Sequence, residues 1–192
     1  MAKVALGAQT LLLPLPTVLV GSNVDGKPNF SAYAWCGIVN SRPPMLSVSF
    51  RPQRYTLKGV KQNGTFSVNI PSVEQVQEAD YCGFISGRDS DKVADCAFTV
   101  FYGKLPNTPM INECPVNLEC RVLHTLTLPS QEMVVAQIEE VYMTDACLTE
   151  GKPDVGKIRP FLWVSRPSNK YYAFGDIIGE AFISGKAIKR KE

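Results

Sequence analysis

The chain is poor in histidine, in net charge and in uninterrupted apolar runs, and each shortage closes a class of function. A single histidine, His124, and six cysteines (Cys36, Cys82, Cys96, Cys114, Cys120 and Cys147) that form no Cys-x-x-Cys pair disfavour structural zinc and iron–sulfur centres. Twenty basic side chains against eighteen acidic ones leave a net charge of +2. That is no field for holding a polyanion, so nucleic acid is set aside as a partner. The apolar stretch 11–20 is broken by Pro14 and Pro16, and it is about half the roughly 20 residues that a bilayer span takes. With Lys3 ahead of it the stretch imitates a signal peptide, but it runs directly into a strand-turn-strand pattern that cleavage would rob of its first strand. A cytoplasmic protein with no membrane partner is expected. Gly-x-Gly-x-x-Gly, Walker, Gly-x-Ser-x-Gly and His-Glu-x-x-His motifs are all missing. His124, inside VLHTLTL, reads as a strand residue, and no serine or cysteine triad is visible.

What is present is turn chemistry and strand alternation. The 192 residues carry 45% hydrophobic and 20% charged side chains, with fourteen glycines and fourteen prolines, which suits a single domain over residues 1–192 and speaks against a helical bundle. Residues 17–24 (TVLVGSNV) and 29–35 (NFSAYAW) flank Asp25-Gly26 as a β-hairpin. Residues 45–50 (MLSVSF) alternate, with Leu46, Val48 and Phe50 on one face. A short helix over 55–62 stops at Asn63-Gly64, and 65–70 (TFSVNI) alternate again. Ser72 and Gln75 have capping-box spacing for a second helix that ends near Gly83. Further strands are expected over 97–102, 116–128, 133–144 and 161–164, with a short helix over 90–95 and a solvated basic tail over 186–191. Many strands and few short helices point to a mainly β, antiparallel barrel, closed or partly open.

The informative segment is SFRPQRYT, residues 49–56. It places Ser49, Arg51, Arg54 and Thr56 where a strand end meets a helix start. Free N–H groups of a first helical turn, the positive end of its dipole and forked guanidinium donors together favour an anion such as phosphate. On composition alone, two ordinary surface arginines explain the segment equally well.

Four segments in order, PTVLVGSNVDGKPNFSAYAW, SRPPMLSVSFRPQRYTLKGVKQNGTFSVNIPS, SGRDSDKVAD and ECPVNLECRV, closely resemble the flavin reductase-like family, in particular its flavoredoxin branch. The resemblance covers roughly residues 11–182. It implies an FMN-binding split β-barrel of Greek-key-like connectivity, a homodimer with the flavin near the subunit interface, and electron transfer from NAD(P)H. It also implies that Asn29 and the stretch through Ala34 and Trp35 lie beside the flavin, with Trp35 shielding the ring. Ser49, Phe50 and Arg51 would follow the ribityl chain, and Arg54, Tyr55 and Thr56 would form the phosphate-binding turn. Lys92 would bring a positive charge to the pyrimidine side of the ring. Gln131 stands where relatives often carry histidine, and a neutral amide cannot switch charge. The segment around Val164 is one where some relatives place an aromatic ring, a role open here to Trp163 or Phe161.

The residues supply no catalytic side chain, consistent with chemistry carried by a cofactor. Two readings share the site: an FMN-dependent oxidoreductase passing electrons to a flavin or protein acceptor, or a non-enzymatic FMN electron carrier reduced by a redox partner protein. Cys114 and Cys120 are six residues apart. Alternation would put both on one strand face, yet about 20 Å apart, too far for a disulfide.

Overall fold

The computed structural model describes residues 1–188; residues 189–192, which include much of the expected basic tail, lie outside the described residues. In chain order the elements are β1 (Leu15–Pro16), β2 (Val18–Val24), β3 (Lys27–Tyr33), β4 (Cys36–Ser41), β5 (Pro44–Phe50), α1 (Tyr55–Asn63), β6 (Thr65–Ile70), α2 (Val76–Phe84) and α3 (Lys92–Asp95). There follow β7 (Val100–Phe101), β8 (Met110–Ile111), β9 (Val116–Thr127), β10 (Glu132–Met143), β11 (Leu148–Thr149), β12 (Lys152–Pro153), α4 (Val155–Ile158), β13 (Phe161–Val164) and β14 (Lys170–Ala173).

Seven strands form one antiparallel sheet in the order β3-β2-β6-β9-β10-β5-β4. Its two edges, β3 and β4, are consecutive in the chain and separated only by Ala34 and Trp35, so the sheet must roll on itself to bring them together. The Ser49 N–H donates to the Trp35 carbonyl at 2.9 Å, fastening this crossing to β5. No ladder joins β3 to β4 among the described residues. This is the expected split antiparallel barrel.

Strand alternation sorts the side chains into two layers. Val18 and Val20 of β2 point into the barrel with Val48 and Phe50 of β5 and Phe66 and Val68 of β6. Leu19 and Phe30 point outward into a second cluster with Ala79 and Cys82 of α2, Phe98 and Phe161. Helix α1 adds Leu57 and Val60 to the inner layer, each contributing about 1.5–3 kcal/mol by burial. It ends at Gly64, whose φ of 64° is left-handed and whose N–H returns to the Val60 carbonyl. Helix α2 is preceded by a 3₁₀ turn, Val73–Gln75, in which Gln75 Oε1 accepts from the Ser72 N–H at 3.0 Å, the return half of the expected capping box.

Four expectations change. Strand β4 has no counterpart in the sequence reading: Gly37 to Ser41 are all exposed, so no buried face imprints an alternation. The strand expected over 97–102 shrinks to Val100–Phe101, because Ala97 is left-handed and the Phe98 N–H closes α3 by bonding the Val93 carbonyl. Strand β14 pairs with β13 although its KYYA sequence has no period. Cys114 and Cys120 do not share a face: Cys114 precedes β9 and joins the outer cluster, while Cys120 lies in the inner one. All six cysteines are free, and burial pushes the Cys36 and Cys82 thiols up to about 12.

Candidate functional site

Where β5 hands over to α1, the barrel opens into a cleft of two lobes. The wide lobe, about 350 Å³, is lined by Thr17, the 32–35 stretch, Ser49, Asp80, Gly83, Gln131, Trp163, Asn169 and Tyr171. The narrow lobe, about 240 Å³, is lined by Asn29, Ser31, Gln53, Tyr55, Thr56, residues 85–87 and Lys92. Arg51, Arg54 and Phe84 border both.

The narrow lobe gathers donors that an anion could answer. Helix α1 starts at Tyr55 after Arg54, which offers no capping side-chain bond, and its first turn holds no acidic residue. The Leu57 N–H bonds the Arg54 carbonyl at 3.1 Å, which leaves the Tyr55 and Thr56 N–H groups for an acceptor from outside the helix. The Thr56 hydroxyl, buried in that first turn, accepts from Asn29 Nδ2 at 2.7 Å and keeps its own proton to donate. Arg54 Nη1 donates to the Gly83 carbonyl at 2.7 Å, which ties the helix start to the end of α2. Arg51 stays exposed at the border between the lobes.

Lys92 is 3% exposed, and its ammonium donates to the Phe30 carbonyl at 2.9 Å and the Cys82 carbonyl at 3.0 Å. Burial holds it below the ordinary lysine range. Among the described residues no carboxylate pairs with it. A buried ammonium facing only neutral carbonyls lacks the counter-charge that such groups ordinarily have. The strap after α2 completes this lobe: a Cβ on Gly87 would lie 1.8 Å from Asn29 Oδ1, so only glycine lets the backbone pass.

The wide lobe is more apolar and more aromatic. Trp35 is 41% exposed at its rim, and Trp163 reaches it because β13 pairs with β1, Leu15 opposite Trp163. Tyr171, edge-on to Phe161, donates to Asp80 at 2.8 Å. Two buried hydroxyls of the wide lobe, Thr17 Oγ1 and Tyr33 OH, have no hydrogen-bond partner among the described residues.

Of the residues singled out from the sequence, Ala34, Trp35 and Ser49 line the wide lobe, Asn29, Tyr55, Thr56 and Lys92 the narrow one, and Arg51 and Arg54 both. Phe50 is fully buried in the barrel between the Tyr33 and Phe66 rings, so only its main chain is near the cleft. Lys92 lines the narrow lobe beside the helix start and not the wide one. Gln131 reaches the wide lobe, as does Trp163, while Phe161 is buried in the outer cluster. Sequence reasoning misses Thr17, Asp80, Phe84, Gly87 and Tyr171, and takes in Tyr33 only as part of the stretch from Asn29 to Trp35. Gly87 lies inside SGRDSDKVAD, where it could have been found, but nothing local marks Asp80 or Tyr171.

Residues 10–166 match the family model described as flavin reductase like domain. A solved flavoredoxin from Methanosarcina acetivorans is 42% identical, with a TM-score of 0.92 over 97% of this chain and 99% of that one. The flavoredoxin of Desulfovibrio vulgaris (Miyazaki F) is 35% identical, with a TM-score of 0.89 over 96% of this chain and all of that one. An uncharacterized protein of Archaeoglobus fulgidus is 33% identical over 75% of this chain and 80% of its own length.

Proposed function

This chain belongs to the flavin reductase-like family, and from that premise we propose that its cleft binds FMN and that the protein is an FMN-dependent oxidoreductase. The phosphate would occupy the narrow lobe and the isoalloxazine the wide one. The observation that carries this reading is Lys92, a buried ammonium with no acid partner among the described residues, set beside a helix start with no capping side chain. An anion answers both needs at once.

The residues fit the group. Thr56, Arg51, Arg54 and the first N–H groups of α1 would hold the phosphate, with Lys92 behind them. Trp35 and Trp163 would flank the planar ring system, and the unpartnered Thr17 and Tyr33 hydroxyls suit a guest with polar edges. Bound FMN supplies hydride and single-electron chemistry, so the protein needs to bind, orient and partly desolvate it without a nucleophile of its own. The open rim of the wide lobe would admit a reduced nicotinamide nucleotide, NADH or NADPH, as a diffusible donor, and a flavin or redox protein as acceptor. Edge strand β4 carries Ile38 and Val39, 69% and 52% exposed, which supports a second copy of the chain as partner because a bare apolar edge invites pairing. No helix among the described residues is long and apolar enough to cross a membrane.

The test is flavin titration. Wild type should bind FMN far more tightly than riboflavin, and Arg51→Ala combined with Thr56→Ala should erase that preference. Two charge-assisted donors at about 1.5–3 kcal/mol each amount to roughly a hundredfold or more in affinity. Equal binding of FMN and riboflavin by wild type would overturn the phosphate assignment. Anaerobic bleaching of the bound flavin by NADH or NADPH marks an enzyme; bleaching only by a reduced protein marks an electron carrier.

A further inference from the structure

Four buried side-chain atoms in the described structure lack a hydrogen-bond partner, and two of them, Thr17 Oγ1 and Tyr33 OH, belong to residues lining the same lobe of the same cleft. An orphaned buried hydroxyl costs about 1–3 kcal/mol, so native proteins keep few of them. Shape alone does not require threonine and tyrosine there: valine matches the first in volume, and phenylalanine lacks only the oxygen of the second.

The surroundings of Tyr33 give its direction. Its ring is edge-packed on Phe50 at 4.7 Å in the barrel interior, and Val18 lies opposite it across the β2–β3 ladder. Its oxygen has the Ser31 and Thr56 hydroxyls and the Arg54 guanidinium as its polar neighbours. All three belong to residues of the narrow lobe, whereas Tyr33 itself lines the wide one. The phenol therefore stands at the junction. None of these neighbours is bonded to it in the flavin-free chain: the phenol oxygen has no hydrogen-bond partner, while Ser31 donates to the Cys82 carbonyl at 3.3 Å and Thr56 accepts from Asn29. Burial pushes the phenol well above its ordinary value, so it keeps its proton and acts as a donor through the physiological range. Thr17, 5% exposed, follows β1 and faces the wide lobe only.

We infer that Tyr33 and Thr17 are dedicated hydrogen-bond donors to the bound flavin: Tyr33 to the ribityl–phosphate side, where the two lobes meet, and Thr17 to the edge of the ring system. This rests on the FMN reading and adds two binding residues to it. Both hydroxyls would be unsatisfied in the flavin-free protein and satisfied on binding, so stability is sacrificed for recognition at two points of the floor. A purely structural hydroxyl would behave in the opposite way.

Tyr33→Phe and Thr17→Val each delete one oxygen and little else. Titrating FMN and lumiflavin, which has the ring without the ribityl phosphate, into the flavin-free full chain should separate them. FMN affinity should fall about threefold to tenfold in each variant, while the flavin-free protein melts at a higher temperature than wild type. Lumiflavin affinity should fall in Thr17→Val and stay unchanged in Tyr33→Phe. FMN affinities within twofold of wild type, or a lower melting temperature without flavin, would overturn the inference. Loss of lumiflavin binding in Tyr33→Phe would overturn the placement at the junction. A wild-type protein that takes up no FMN would instead bring down the parent reading, and this inference with it.

Discussion

The two lobes of the cleft are built on opposite plans. Much of the narrow lobe comes from one strand–helix junction, Arg51 to Thr56, closed by a strap that touches it through Gly87 and Asn29. Its polar groups are held by local hydrogen bonds: Asn29 to Thr56, Arg54 to the Gly83 carbonyl, Lys92 to the Phe30 and Cys82 carbonyls. The wide lobe draws on Thr17, Asp80, Gln131, Trp163 and Tyr171, scattered over most of the chain, and leaves two hydroxyls unmatched. The difference teaches that the narrow lobe is a set of polar groups held in place by local bonds, whereas the wide lobe is a surface assembled by packing. Rigid geometry suits an anchor, and an open aromatic mouth suits a visiting reactant.

The same substitution at two glycines should break this comparison most sharply. Gly87→Ala places a methyl 1.8 Å from Asn29 Oδ1, so the strap or Asn29 must move and the bond to Thr56 goes with it. Overpacking of this kind costs about 1–3 kcal/mol, which should appear as a tenfold to hundredfold loss of FMN affinity. Gly83→Ala, bordering the wide lobe, meets only the Ala32 Cβ at an ordinary 3.5 Å and should change affinity by less than about threefold. Fluorescence titration of both variants decides it, and equal losses would mean that the lobes are not independently built.

The lobes also differ in how far they can be read from sequence, for the same reason. SFRPQRYT displays strand end, arginines and helix start in eight consecutive residues, so much of the narrow lobe's lining is visible in one short segment of the chain. Lys92 is remote in sequence; only family resemblance points to it, and its placement with the helix start depends on how α3 meets β3. The wide lobe depends on β1 pairing with β13 and on β14 reaching α2 through Tyr171 and Asp80, contacts between residues about 90 apart or more. Periodicity reports which face of an element is buried, not which distant element covers it. Hence the hairpin, β5, β6, β9 and β10 are legible within a few residues, while exposed β4 and short β14 are not.

A second, smaller effect sharpens the contrast in charge. Because burial lowers the Lys92 value in the folded chain, the flavin-free protein binds fewer protons than the unfolded chain between that lowered value and the ordinary 10.5. Stability contributed by this site therefore rises with pH across that window, as the destabilising buried charge is removed, and flattens above it. The melting temperature of flavin-free wild type minus that of Lys92→Met should increase as pH approaches 10.5, and FMN should suppress the trend by supplying the missing counter-charge. A difference that does not change with pH would mean that the buried ammonium carries no such penalty.

The smallest effect is expected at the rim of the wide lobe. Trp35 is 41% exposed, its main chain is pinned by the bond from Ser49 to its carbonyl, and its indole contributes to the lobe without being buried by it. Trp35→Ala should therefore leave the barrel's melting temperature within a few degrees of wild type, since exposed positions away from buried networks rarely matter for stability. FMN affinity should fall by less than about threefold, because the proposed anchor lies in the other lobe and stacking on a partly solvated face adds about 0.5 kcal/mol, the low end for an aromatic pair. The flavin's fluorescence, in contrast, should rise, as the indole that quenches the ring is removed. Unchanged fluorescence with intact binding would place the ring away from Trp35 and against Trp163, turning the guest over within the same lobe.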